Sequence, residues 1–170
     1  IELNDGTKAI LFPDKRRNLT YGSDSGDKWK LLQLGLVSEM WPHIQEMKPR
    51  FIHTHDFGAI RLGHELVERL RSSGNISCWI HDLHEYVAGL DQLDRGILRE
   101  ALIDEEELIQ IPEQLITVSG LIAKELTRDY NLSRPPDTIF NCPRYPGILS
   151  ERGVKESLQL GSESTLIVYA

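Results

Sequence analysis

The sequence predicts an α/β domain built on an open, mostly parallel sheet with helices on both faces. Three observations lead to it. From Phe51 onward, short apolar runs alternate with stretches of helical periodicity, the pattern of strand–helix–strand units. Each run is only a few residues long and is closed by polar or Gly-containing segments, as in buried parallel strands. The polar residues gather just after the runs, where open parallel sheets bind their ligands.

Taken in order, Ile1 to Phe12 reads as one or two strands around the turn signal Asn4-Asp5-Gly6. Lys15 to Asp27 is polar and rich in Gly and Ser, an exposed loop. Lys28 to Met47 reads as a helix with a stripe of Leu31, Leu32, Leu36, Val37, Met40 and Ile44 and a kink at Pro42. Phe51 to Asp56 is the first strand of the alternating region. A helix carrying Ala59, Ile60, Leu62, Leu66, Val67 and Leu70 follows and ends near Gly74. Ile76 to Ile80 is the next strand, and Leu90 to Ile109 the next helix. Gln114 to Val118 is a strand, after which Ser119 takes a helix N-cap ahead of Leu121, Ile122, Leu126 and Tyr130. Thr138 to Phe140 is a further strand. The acidic run Asp104 to Glu107 reads as a solvated helix face.

The chain has 170 residues, room for one domain with a real core. Its net charge of -7 argues against nucleic acid, which calls for a basic stripe. The two cysteines, Cys78 and Cys142, form no C-x-x-C pair, so neither a disulfide scaffold nor a cysteine zinc site is expected. No window is long and apolar enough to span a membrane, and no signal peptide is recognisable. The Asn-x-Ser/Thr triplets at Asn18, Asn75 and Asn131 therefore read as chance, and the expected compartment is the cytoplasm. The start at Ile1 and the stop at Ala170 within an apolar run suggest a piece cut from a longer protein.

The chemistry concentrates at the strand ends. One offers His53, His55 and Asp56; the next His81, Asp82, His84 and Glu85; the third Ser119; the fourth Asn141. Because strand side chains alternate, His53 and His55 point together and Thr54 points away. His53 could instead serve a neighbouring backbone group, and His81 and Asp82 could orient a loop. His84 and Glu85, just past a strand, are set to face a crevice. Ser119 caps a helix whose free N–H groups could also meet a ligand, and Asn141 could be a turn residue ahead of Pro143. One chemical reading takes His53-Thr54-His55 and His81-Asp82-Leu83-His84 as metal ligands of a metal-dependent hydrolase. Such pairs belong to complete barrels of about 250 residues, whereas this chain reads as an open sheet. A non-catalytic module that binds a sugar or nucleotide is a further alternative.

Four segments in order, Pro49-Arg50-Phe51-Ile52-His53-Thr54-His55-Asp56, Ile80-His81-Asp82-Leu83-His84-Glu85-Tyr86, Gln114-Leu115-Ile116-Thr117-Val118-Ser119 and Ile139-Phe140-Asn141-Cys142-Pro143, together resemble glycosyltransferase family four. The resemblance covers Lys48 to Ala170. It implies a GT-B enzyme of two Rossmann-like domains, this chain being the N-terminal, acceptor-side half. On that basis residues 1–146 are the N-terminal domain, 147–164 a linker, and 165–170 the first strand of a C-terminal nucleotide-sugar domain. The implied reaction transfers a sugar, commonly from a UDP- or GDP-linked donor, to a sugar, lipid or small-molecule acceptor, with retention and without a metal. His84 takes the place of the active-site histidine near the donor sugar, with Asp82 and Glu85 orienting it. His53, His55, Asp56, Ser119 and Asn141 would line the cleft. Two departures stand out: no Gly-rich loop is recognisable near the start, and Asn141-Cys142-Pro143 replaces the commoner Asn-Gly-Val-Asp. Peripheral membrane contact is open to such enzymes, although no basic amphipathic helix supports it here. Leu166 to Tyr169, an apolar strand without its sheet, is expected to dock on this domain or on a second copy.

Overall fold

The computed structural model describes residues 24–142 apart from Gln92, together with Gln159. The chain divides into two compact units after Phe140. In the second, the described residues Asn141, Cys142 and Gln159 are exposed. The expectations for 1–23, the linker and the apolar run Leu166 to Tyr169 lie outside the described residues.

The first unit is an α/β domain, with the order α1 (Ser25–Met47), β1 (Phe51–His55), α2 (Ile60–Ser72), β2 (Cys78–Leu83), α3 (Arg95–Leu108), β3 (Gln114–Thr117), α4 (Gly120–Asp129) and β4 (Asp137–Thr138). The four strands form one sheet in the order β1-β2-β3-β4, every pairing parallel. Each connection steps the same way along the sheet. Right-handed crossovers then deliver each helix to the same face. The core agrees: Ile52, Trp79 and Leu83 from the strands join Ile60, Val67 and Leu70 of α2, Leu108 of α3 and Leu126 of α4 in one cluster. The expectation of helices on both faces is thus corrected for the described residues. The other face of β1 carries exposed Phe51, His53 and His55.

α2 follows its predicted stripe, burying Ile60, Leu66, Val67 and Leu70. It also buries Gly63, where a Cβ would stand 2.7 Å from Trp79 Nε1 and 2.8 Å from Thr54 Cγ2; hydrogen is what lets the helix approach the sheet. Its end is set by Gly74 at φ 82, a left-handed conformation that glycine adopts without a Cβ penalty. Asn75 N then donates to Leu70 O at 3.0 Å.

Other elements depart from the sequence expectations. α1 begins within the expected loop and continues past Pro42. Its buried line is Ser25, Gly26, Trp29, Gln33 and Val37, while Leu31 is exposed. The helix is turned toward α3, where Ser25 Oγ donates to Asp94 and Gln33 Nε2 reaches Asp104 Oδ2 at 3.5 Å. β2 runs two residues later than expected at its start and extends to Leu83, so His81 and Asp82 lie inside the strand. α3 starts only at Arg95 because Asp94 caps it, accepting from Gly96 N at 2.9 Å. The acidic run is a solvated face only in part: Glu106 and Glu107 are exposed, whereas Asp104 and Glu105 are buried. Asp104 is held by Arg61 Nε of α2 at 2.5 Å, and Glu105 Oε2 accepts from Tyr130 O–H at 2.6 Å.

Candidate functional site

The carboxyl ends of β1 and β2 assemble the site. The register sets His53 beside Ile80 and His55 beside Asp82. Paired residues of parallel strands project to the same side, so His53, His55 and Asp82 share the exposed face. Asp82 is the anchor. Its Oδ2 lies 3.1 Å from His55 Nδ1 and 3.1 Å from His84 Nε2. Its side chain is 14% exposed, against 53% for His55 and 30% for His84. A carboxylate only accepts, so the two imidazoles present N–H to it. The rings are grouped closely: His53 and His55 have centroids 4.2 Å apart, and His84 meets His55 edge-on at 5.7 Å. Partial burial and the neighbouring His55 hold the His53 imidazole below the ordinary histidine range, with Asp82 opposing.

Asp56 and Glu85 form a second part. Asp56 follows β1 with φ 68 and ψ 159, a region occupied almost only by glycine and costing about 1–3 kcal/mol. Two backbone bonds hold it there: its N–H donates to Asp82 O at 2.8 Å, and its carbonyl accepts from Ala59 N at 3.0 Å. The hydrogen bond with Asp56 pushes the Glu85 carboxyl up to about 7, with partial desolvation and the Asp56 charge adding and His84 opposing. The Glu85 carboxyl therefore changes charge near neutral pH.

Beneath the sheet, His81 faces inward and is fully buried. Thr54 Oγ1 accepts from Trp79 Nε1 at 2.9 Å and lies 2.8 Å from His81 Nδ1. Burial lowers the His81 imidazole to about 4, so it is neutral and structural. Sequence reading missed this Thr54–Trp79–His81 chain, although the alternation that turns Thr54 inward was its signal.

Ser119 caps α4, accepting from Leu121 N at 3.2 Å. Asn141 belongs to the second unit. Of the residues singled out in the sequence, the structure thus gathers His53, His55, Asp82 and His84, with the Asp56–Glu85 pair beside them. Cavities of about 240 Å³ beside Glu113 and Arg134 and about 490 Å³ beside Lys124 and Thr138 are lined by none of these. No helix of the described residues is long and apolar enough to cross a membrane. Compared with known proteins, the chain matches no protein-family model and no curated sequence.

Proposed function

We propose that this chain is the acceptor-side, Rossmann-like half of a retaining glycosyltransferase, which moves a sugar from a nucleoside-diphosphate donor to an acceptor hydroxyl. One observation carries the reading. His84 stands just beyond β2 with Nε2 held by Asp82 at 3.1 Å, leaving Nδ1 to accept from a sugar hydroxyl. An imidazole fixed in that orientation stabilises the positive charge that develops on the sugar ring as the diphosphate departs. In the proposed step the anomeric carbon loses its bond to the phosphate oxygen and gains one to the acceptor oxygen on the same face. The acceptor's proton passes to the leaving phosphate. No metal is needed for this step, because basic groups of the donor-binding domain would carry the diphosphate charge. Glu85 and Asp56 would hydrogen-bond hydroxyls at the rim, and His53, His55 and Ser119 would line the acceptor side.

The test is His84→Ala in the full-length protein, assayed against a panel of UDP- and GDP-linked sugars. Transfer falls by about 10²–10³, the range for loss of one transition-state donor or acceptor, while the unfolding midpoint stays at the wild-type value. Wild-type turnover in the variant removes His84 from the reaction.

A further inference from the structure

We propose that His53, His55 and Asp82 form a binding site for one divalent transition-metal ion of the zinc type on the exposed face of the sheet. This inference stands apart from the glycosyltransferase reading, which calls for no metal. One ligand atom from each residue lies within 4.8 Å of the other two. A tetrahedral ion with bonds of about 2.0–2.2 Å sets its donors roughly 3.3 Å apart. His55 Nδ1 and Asp82 Oδ2 already stand at 3.1 Å. The exposed His53 ring lies alongside, its centroid 4.2 Å from that of His55.

The backbone supplies the preorganisation. His53 and His55 are two apart on one strand, and the register sets Asp82 directly beside His55. Two imidazole nitrogens and one carboxylate oxygen suit Zn²⁺, Co²⁺ or Ni²⁺ rather than Mg²⁺ or Ca²⁺, which prefer all-oxygen shells. His55 ligates through Nδ1 once its proton has moved to Nε2, a tautomer change without net proton uptake. His84 then remains as an outer partner of Asp82, fixing the carboxylate as such partners do in metal sites. Three protein donors leave a coordination position for water or an added ligand.

The experiment is titration of the whole chain with Zn²⁺, followed by heat, and with Co²⁺, followed by its visible absorption. The expected result is one ion per chain. His53→Ala and His55→Ala should each weaken binding at least about tenfold, the loss seen even for outer partners. Both side chains lie on an exposed face, so the variants keep the wild-type far-ultraviolet circular dichroism. His84→Ala retains one ion per chain. Absence of stoichiometric binding overturns the site. So does binding that is unchanged in His53→Ala or in His55→Ala, or that His84→Ala weakens more than either of them does.

Discussion

Glu105 offers a direct reading of how burial sets the pH response of this fold. It lies on α3, 1% exposed, with Oε2 bonded to Tyr130 and Oε1 buried without a partner. Burial pushes its carboxyl from 4.5 up to about 7, against the opposing Tyr130 hydrogen bond. An acid whose folded pKa exceeds its unfolded value holds its proton more tightly when native. Its contribution to stability is therefore whole below pH 4.5 and is lost as pH rises through about 7. That interval corresponds to about 3 kcal/mol at full ionisation. Glu105→Gln removes the titration while keeping an acceptor for Tyr130. Its amide NH2 then meets the site of the unpartnered oxygen, a cost of about 1–3 kcal/mol that is the same at every pH. The informative quantity is therefore the slope. Urea unfolding followed by tryptophan fluorescence should show the wild type losing about 2–3 kcal/mol more than the variant between about pH 5 and pH 8. Equal slopes in the two proteins would refute a proton held on buried Glu105.

Three further outcomes follow from the packing. Gly63→Ala forces a Cβ to 2.7 Å from Trp79 Nε1 and should cost about 1–3 kcal/mol by overpacking; a neutral melting curve would show that α2 can move off the sheet. Thr54→Val keeps the shape but strips the partner from Trp79 Nε1 and His81 Nδ1, and thermal unfolding should report a loss of about 2–4 kcal/mol for two buried orphans. Asp56→Gly relieves a backbone held at φ 68 and should stabilise by about 1 kcal/mol. The same change removes the carboxyl that raises Glu85, so the Glu85 carboxyl signal in a carbon NMR titration should move its midpoint toward ordinary glutamate. An unmoved midpoint would mean that Asp56 is not the cause.

Local patterns were legible because they depend on near neighbours along the chain. A strand repeats every two residues, so His53-x-His55 had to present both rings on one side of β1, and it does. A helix stripe that meets the sheet directly, such as Ile60, Leu66, Val67 and Leu70, was read from its spacing. Gly74 and Ser119 marked a helix end and a helix start, since a left-handed φ and a side-chain cap are properties of the residue itself.

What the tertiary structure decided was which surfaces meet. Leu31 is exposed while Gln33 is buried, because α1 turns its polar line to Asp94 and Asp104 rather than its leucines to the sheet. Asp104 and Glu105 are adjacent on α3 yet answer to different partners, Arg61 and Tyr130, so the run of acids could not be priced from its charge. At the site, composition placed histidines and carboxylates near two strand ends. The pairing register made Asp82 the shared partner of His55 and His84, and the closure of β1 onto β2 drew Asp56 into its strained conformation. Periodicity is written in residues a few positions apart, whereas register and burial arise from groups far apart in sequence, whose energies exist only once the chain has folded.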